Sequence, residues 1–423
     1  MSPRTPRPPA LRYRPARRTD VETLADLGHR AYRVSSLEKR REFYTDHPRF
    51  GLRDVRVGEL DGQVVASLVL YPFTAFVRGQ RVPVTGIGSV AVSPEHRRRG
   101  VAEALLKSAL RDMRQRGDAF SALYPFRDSF YRRLGYGVIE IAQQMAFSPS
   151  LLAESDEARR VRRLMLPDRP SVEALYERVA LQGHFALARR SEWWTQRLWT
   201  HAGDWVVYEG RRRGQIEGYL YYEVDSDAGP FKLSVTLTEF VAATPEAHLG
   251  LIGYLASLSD QVSEIHHIAP GDNGWPLLLK TSQNLRPALE MSVYHDTGNA
   301  VNGMMLRLND VRGALEQIPL SMQARGEVAL EVDDEVIPQN ARSYRLRASE
   351  GRLKVTLESA RAGRARLPRL VAEPDLLASL VGGAVSPVRA AEMGLLDSSG
   401  GAADIIDRWF RARPAFVYPL NGF

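Results

Sequence analysis

Cysteine is absent from all 423 residues. That excludes disulfides, a thiolate nucleophile and Cys-ligated metal in one step, and it fits a reducing, cytoplasmic location. Lysine is scarce too, so the 57 basic side chains set against 50 acidic ones are mostly arginine. No run approaches the roughly 18 consecutive apolar residues of a membrane span. The nine histidines show no ligand spacing apart from the adjacent pair His266-His267, so no metal is expected. Met1 to Pro9 carries Arg4 and Arg7 among four prolines with no apolar run behind them. It reads as a short disordered tail and not as a secretory signal.

What is present is ordinary for a globular chain: 44% hydrophobic and 25% charged residues, in a length that suggests two or three domains. The net charge of +7 is spread over separate basic runs at 97–99, 159–163, 211–213 and 361–369. None is interleaved with aromatics, so a nucleic-acid partner is not expected.

Residues 11–15 read as a strand, followed by Thr19-Asp20-Val21-Glu22, the pattern of a capping box at a helix start. Strand-like stretches at 55–60, 63–71 and 81–92 are separated by the turn signals Asp61-Gly62 and Gly79-Gln80. A helix is expected over 101–113 and a strand over 119–124, completing a β-α-β-β-β-loop-α-β unit. Polar residues 154–163 read as a connection, and a second mixed segment follows with Trp193, Trp194, Trp199 and Trp205 clustered in it. Strands are expected there at 205–208, 217–224 and 232–243. From about Met304 a meander at 328–332, 343–348 and 353–357 precedes three helical stretches, which suggests a separate α+β domain.

The second segment echoes the first. Val90-Ala91-Val92-Ser93-Pro94-Glu95 leads through a loop to the helix at Val101. Val241-Ala242-Ala243-Thr244-Pro245-Glu246 leads to an apolar run at 249–258, with His248, Leu249 and Gly250 in place of three arginines. This pattern points to a duplicated fold whose second copy has lost an anion site.

That anion site lies in Arg97-Arg98-Arg99-Gly100-Val101-Ala102. Free amides at a helix N-terminus carry partial positive charge and bind phosphate oxygens. Gly100 and Ala102 are small enough for close approach, and the arginines add charge-assisted hydrogen bonds. Downstream, Tyr131 in Tyr131-Arg132-Arg133-Leu134-Gly135-Tyr136-Gly137 is a candidate general acid, because a phenol of pKa about 10 is protonated at neutral pH. Asp20, Asp26, Glu38 and Asp46 could line an amine pocket, but surface ion pairing is the favoured reading for each.

The strand, the Ser-Pro-Glu turn and the arginine-glycine loop resemble the acyl-CoA loop of the GCN5-related N-acetyltransferase superfamily. Together with the Tyr-x-Arg-x-Gly-Tyr-Gly run, the degenerate second copy, Met305-Leu306-Arg307 at the opening of the last domain and a final phenylalanine, they are similar to the Eis (enhanced intracellular survival) family. The resemblance implies two tandem acetyltransferase-like mixed-sheet domains, α/β and α+β in class, followed by a sterol-carrier-like α+β domain. The corresponding segments are 1–10 (tail), 11–153 (catalytic), 154–300 (degenerate) and 301–423.

By the same resemblance acetyl-CoA is the co-substrate and transfer to an amine is direct. Val90 and Val92 would offer backbone groups to the pantetheine amides. Cofactor contacts fall on Val90, Ala91, Val92, Arg97, Arg98, Arg99, Gly100, Val101, Ala102, Glu103, Phe126 and Arg127. Tyr131 becomes the proton donor, and the free carboxylate of Phe423 the proton acceptor. The acceptor is a small-molecule or peptide amine, such as an aminoglycoside or a lysine side chain, and the assembly a hexamer. Residues 126–130 and Gly422 depart from the family pattern at positions near substrate. The apolar tail from Pro414 to Phe423 independently reads as a docked terminus, since free termini are usually polar and frayed. A competing reading makes the chain a lipid-binding module in which the acetyltransferase units are scaffolding.

Overall fold

The computed structural model describes residues 10–33, 36–226, 229, 232–281, 297–358 and 367–423. The proposed N-terminal tail and most of the basic run at 361–369 lie outside them. Among these residues there are three sheets: an eight-stranded sheet, a seven-stranded sheet and a five-stranded one.

The first sheet starts with Arg12–Pro15, then Val55–Leu60, Gln63–Val77 and Gln80–Val92, all antiparallel. Phe120–Leu123 joins parallel to Gln80–Val92 after the 16-residue helix Val101–Arg116. That helix buries Val101, Leu105, Leu106, Ala109, Leu110 and Met113, a stripe at helical spacing, against the sheet. It ends at Gly117, whose φ of 83° gives the left-handed cap that glycine adopts without strain.

The expected capping box at Thr19 to Glu22 is replaced by a different device. Residues Arg18–Asp20 form one 3₁₀ turn, and Asp20 accepts from the Arg17 amide at 2.6 Å. Glu22 instead pairs with Arg41. Asp20 is also gripped by Arg14, whose Nη1 and Nη2 donate at 2.7 and 3.0 Å while its Nε donates to Glu59 at 2.7 Å.

The same clamp recurs in the second unit. Arg162 donates to both oxygens of Asp168 at 2.7 and 3.0 Å and through Nε to Glu209 at 2.8 Å, and Asp168 accepts from the Met165 amide at 2.8 Å. Each clamp ties a first strand, the following helix (Val21–Tyr32 or Arg169–Leu181) and the next strand (Val55–Leu60 or Asp204–Glu209). The duplication is therefore written in side-chain geometry as well as in strand order. The polar stretch 154–163 is part of it. It is not a plain connection, because Val161–Arg163 is the edge strand pairing with Asp204–Glu209.

Sheet membership crosses the segment boundaries expected at 153/154 and 300/301. Ile141–Phe147 pairs into the second sheet, against Val262–Pro270 and Asn299–Asn302. Met305–Leu308, read from sequence as the opening of the last domain, instead lies in the first sheet between Phe120–Leu123 and Gly137–Val138. The two units thus exchange strands. Buried Glu140 sits at the crossing, accepting from the Met304 amide at 2.8 Å and the Val417 amide at 2.7 Å.

The third sheet carries Gly326–Val332, Arg342–Ser349, Arg352–Leu357, Arg369–Ala372 and Asp397–Ser399, with three helices from Pro374 onward. Its core is continuous with Ala75, Val82, Phe120 and Leu306 of the first sheet. This places the C-terminal tail, through Ala415 and Val417, back against the first sheet.

Candidate active site

Strand Gln80–Val92 carries the site. Its pairing with Gln63–Val77 shifts register between Ser67↔Ala91 and Val69↔Gly88, which leaves one extra residue on the Gln80–Val92 side. Ser89 has φ 51°, the left-handed geometry of a bulge. On the other side, pairing with Phe120–Leu123 is limited to Thr85↔Ser121 and Gly86↔Ala122. Beyond Gly86 the two strands part, and the backbone groups of residues 87–92 have no strand partner on that edge among the described residues. Tyr32 takes one of them, donating to the Val90 carbonyl at 2.9 Å.

At the end of this strand the chain turns through Pro94–His96 into the loop 97–100. Arg98 (φ 59°) and Gly100 (φ 77°) are both left-handed, and Gly100 is the N-cap of helix Val101–Arg116 with no side-chain cap. The first intrahelical bond runs from the Ala104 amide to the Gly100 carbonyl, so the preceding amides of the first turn stay free. Arg97, Arg98 and Arg99 are exposed around them, and Arg97 Nε donates to the Val92 carbonyl at 3.3 Å. Free amides at the positive end of a helix, ringed by three cations, suit a diphosphate. Glu103 lies on the same turn with its carboxylate neutralised by Lys107 at 2.7 Å.

Tyr131 lies on the short helix Asp128–Arg132, buried in the cluster of Ile87, Val101, Leu105 and Leu123 that underlies the gap between the parted strands. Its ring meets Phe126, Phe130 and Tyr136 edge-on. Its hydroxyl has no hydrogen-bond partner among the described residues. Burial pushes its pKa well above the ordinary tyrosine value, with Tyr136 and Tyr32 adding to the rise, so the phenol is a proton donor at neutral pH. Phe126 and Arg127 are exposed at the mouth beside Tyr131; no hydrogen bond or ion pair links them to the 97–103 loop.

Phe423 arrives from the opposite side. Its ring sits among Phe73 (4.7 Å between centroids), Tyr124 (5.4 Å) and Tyr71 (5.6 Å). Gly86 and Gly88 make room: a Cβ on Gly88 would stand 3.3 Å from the Phe423 carboxyl carbon, and one on Gly86 2.8 Å from its ring. Among the described residues the carboxylate has neither a hydrogen-bond donor nor an ion-pair partner. The residues before it are held firmly. Arg49 Nη1 donates to the Asn421 and Gly422 carbonyls at 3.0 and 2.8 Å, with its guanidinium 3.2 Å above the Trp193 ring. Asn421 accepts from Arg189 Nε at 2.8 Å and donates to the Tyr176 hydroxyl at 2.6 Å. Arg189 forms a fully buried pair with Glu239.

The residues read from sequence therefore gather around one strand: the 97–103 loop follows its end, Tyr131 packs in the cluster that holds Ile87, and Phe423 lies against Gly86 and Gly88. The clamp on the terminus, Arg49, Arg189, Asn421 and Trp193, was not legible in advance. Arg49 sits in an unremarkable His47-Pro48-Arg49-Phe50 run, and its partner carbonyls belong to a segment 371 to 373 residues away. Asp20 and Asp26 are committed to Arg14 and Arg30, as expected of ion-pairing groups.

Comparison with known proteins agrees with this layout. Residues 12–139 and 186–308 each match an acetyltransferase (GNAT) domain model, and residues 311–418 match a sterol carrier protein domain. The chain is an N-acetyltransferase of the GCN5-related class: two GNAT domains followed by a sterol-carrier-like domain. Within that class it is an Eis-like member. N-acetyltransferase Eis of Mycobacterium tuberculosis is 28% identical over 356 residues, 80% of either chain. An uncharacterized N-acetyltransferase of Streptomyces avermitilis is 29% identical over 69% of this chain and 72% of its own. In fold, a GCN5-related N-acetyltransferase from Anabaena variabilis superposes with TM-score 0.81 at 21% identity, and Eis1 from Mycobacterium abscessus with 0.76 at 22%. Each match covers 98% of this chain and the whole of the other.

Proposed function

We propose that the first domain acetylates primary amines by direct transfer from acetyl-CoA, the co-substrate of GNAT domains, with Tyr131 and the Phe423 carboxylate moving the protons. The observation that supports this reading is that a buried phenol and the Phe423 carboxylate, both without partners among the described residues, pack against the same strand, at Ile87 and at Gly88. Acetyl-CoA supplies the activated acetyl thioester. Arg97, Arg98, Arg99 and the free amides of the first helical turn hold its diphosphate, and the open edge of residues 87–92 takes its amide-bearing arm.

The proton balance closes with these two groups. Phe423 takes one proton from the acceptor ammonium, which frees the lone pair to attack the acetyl carbon. As the carbon–sulfur bond breaks, Tyr131 gives its proton to the sulfur. The second proton shed by the nitrogen restores Tyr131. No covalent enzyme intermediate forms, consistent with a chain lacking cysteine. The acceptor is a primary amine of the type carried by aminoglycosides or lysine side chains. By the Eis resemblance we also propose a hexameric, cytoplasmic enzyme.

The test is release of free CoA thiol from acetyl-CoA with a panel of aminoglycosides, polyamines, arylalkylamines and lysine peptides, using a chain with an untagged C-terminus. Thiol release with an amine, and acetylated amine by mass spectrometry, is the expected result. Binding of acetyl-CoA without transfer to any primary amine would overturn the assignment.

A further inference from the structure

A cavity of about 260 Å³ adjoins the Phe423 terminus, lined by Arg49, Phe73, Thr74, Arg189, Arg190 and Trp193 among others. Three of its lining residues touch or hold the Phe423 terminus. Phe73 packs on the Phe423 ring, Asn421 lies two residues before it, and Arg49 holds the Gly422 carbonyl. What distinguishes it is charge: four arginines and no carboxylate side chain line it. Two of the four are neutralised, Arg189 by Glu239 and Arg81 by Glu177. Arg49 and Arg190 have no carboxylate partner among the described residues. Arg190 is exposed and gives a single hydrogen bond, to the Pro72 carbonyl at 3.2 Å, so most of its five N–H groups remain free.

The local field is consistent with this inventory. His47, stacked on Phe50, is pushed down to about 3 by burial first and then by the nearby charges of Arg197 and Arg49. It is neutral at physiological pH and adds no charge of its own to that of the arginines. The nearby anion is the Phe423 carboxylate, which lies at the catalytic end.

Arg190 thus offers free guanidinium donors at the cavity, while Arg49, committed to the tail carbonyls, adds a buried positive charge without a carboxylate partner. A polycation would meet repulsion there. We infer that the acceptor is a primary amine carrying an anionic group, a carboxylate or a phosphate, held by Arg190 in the field of Arg49 while its ammonium faces Phe423. The inference rests on the transfer reaction proposed above and narrows its substrate class away from polycationic amines.

The experiment compares kcat/KM for n-butylamine, γ-aminobutyrate, aminopropyl phosphate and diaminobutane, with longer ω-amino carboxylates to scan reach. The anionic amines are expected to exceed n-butylamine by about tenfold or more, the scale of one charge-assisted hydrogen bond, and diaminobutane to fall below it. The carboxylate and phosphate arms show which anion the site takes. Arg190→Glu, at an exposed position, is expected to reverse the order of anionic and dicationic amines, with thermal melting confirming that it folds. Transfer to amines with diaminobutane or polyamines preferred, or an order unmoved by Arg190→Glu, would overturn this inference and leave the acetyltransferase reading standing. Absence of transfer to every amine would overturn both.

Discussion

Arg49 Nη1 donates to the carbonyl of Gly422 at 2.8 Å, joining residues 373 positions apart and fixing the last peptide before the terminal carboxylate. In the proposed mechanism the bond makes Arg49 a positioning residue for Phe423. Replacing it with methionine keeps length and apolar contact but releases three carbonyl contacts. Arg49→Met is expected to lower kcat by about tenfold to a hundredfold, the range of general acid–base catalysis, with acetyl-CoA affinity retained. Steady-state kinetics beside calorimetric cofactor binding checks the split.

The second hold on the tail runs through Arg189 and its partner Glu239, which also accepts from the Tyr219 hydroxyl at 2.8 Å. Removing one charge of a buried pair leaves the other uncompensated. Glu239→Gln should cost about 3–5 kcal/mol in a denaturant titration. A loss below about 1 kcal/mol would show that water reaches Arg189.

Tyr131→Phe deletes only the hydroxyl and keeps the edge-on contacts with Phe126, Phe130 and Tyr136. Turnover should fall by roughly 10²-fold with little change in melting temperature. Near-normal turnover would remove this phenol from the mechanism.

Gly88→Ala tests the geometry around the terminus. The added Cβ would meet the Tyr71 ring at 2.8 Å and the Phe423 carboxyl carbon at 3.3 Å, so one of them must move. We expect a fall in kcat at least as large as that of Arg49→Met, measured with the same amine.

Stability should also respond to acid through His184 and His267, both pushed down to about 4 by burial against a single carbonyl hydrogen bond each. The folded state keeps these bases neutral, whereas the unfolded chain protonates them below about pH 6.5. Their stabilising contribution is therefore full above pH 6.5 and is lost as pH falls toward 4, by up to about 3 kcal/mol for each group. A melting-temperature series against pH checks the sign, and His267→Asn should flatten part of the slope.

Much of this fold could be read from local pattern. Residues 55–60 emerge as the strand Val55–Leu60, and the helix starting at Val101 follows from its apolar spacing and Gly100. The echo between Val90-Ala91-Val92-Ser93-Pro94-Glu95 and its counterpart near Val241 reflects a real duplication, whose sharper sign, the Arg14 and Arg162 clamps, joins residues too far apart to form a motif. The exchange of Ile141–Phe147 and Met305–Leu308 between sheets was hidden, because a strand's sequence fixes which faces are apolar but not which neighbour it joins. The capping box at Thr19 failed for a related reason: Asp20 is bound by an arginine on the preceding strand, and that tertiary ion pair outweighs the local cap.

The most direct test of the account appends a single glycine after Phe423. The addition leaves every described side chain in place and moves only the carboxylate. Thiol release with the best amine is expected to fall by about 10²-fold while acetyl-CoA still binds, because the proposed proton acceptor has been carried away from the parted strands. Unchanged turnover by the extended chain would contradict it and assign the base to another group.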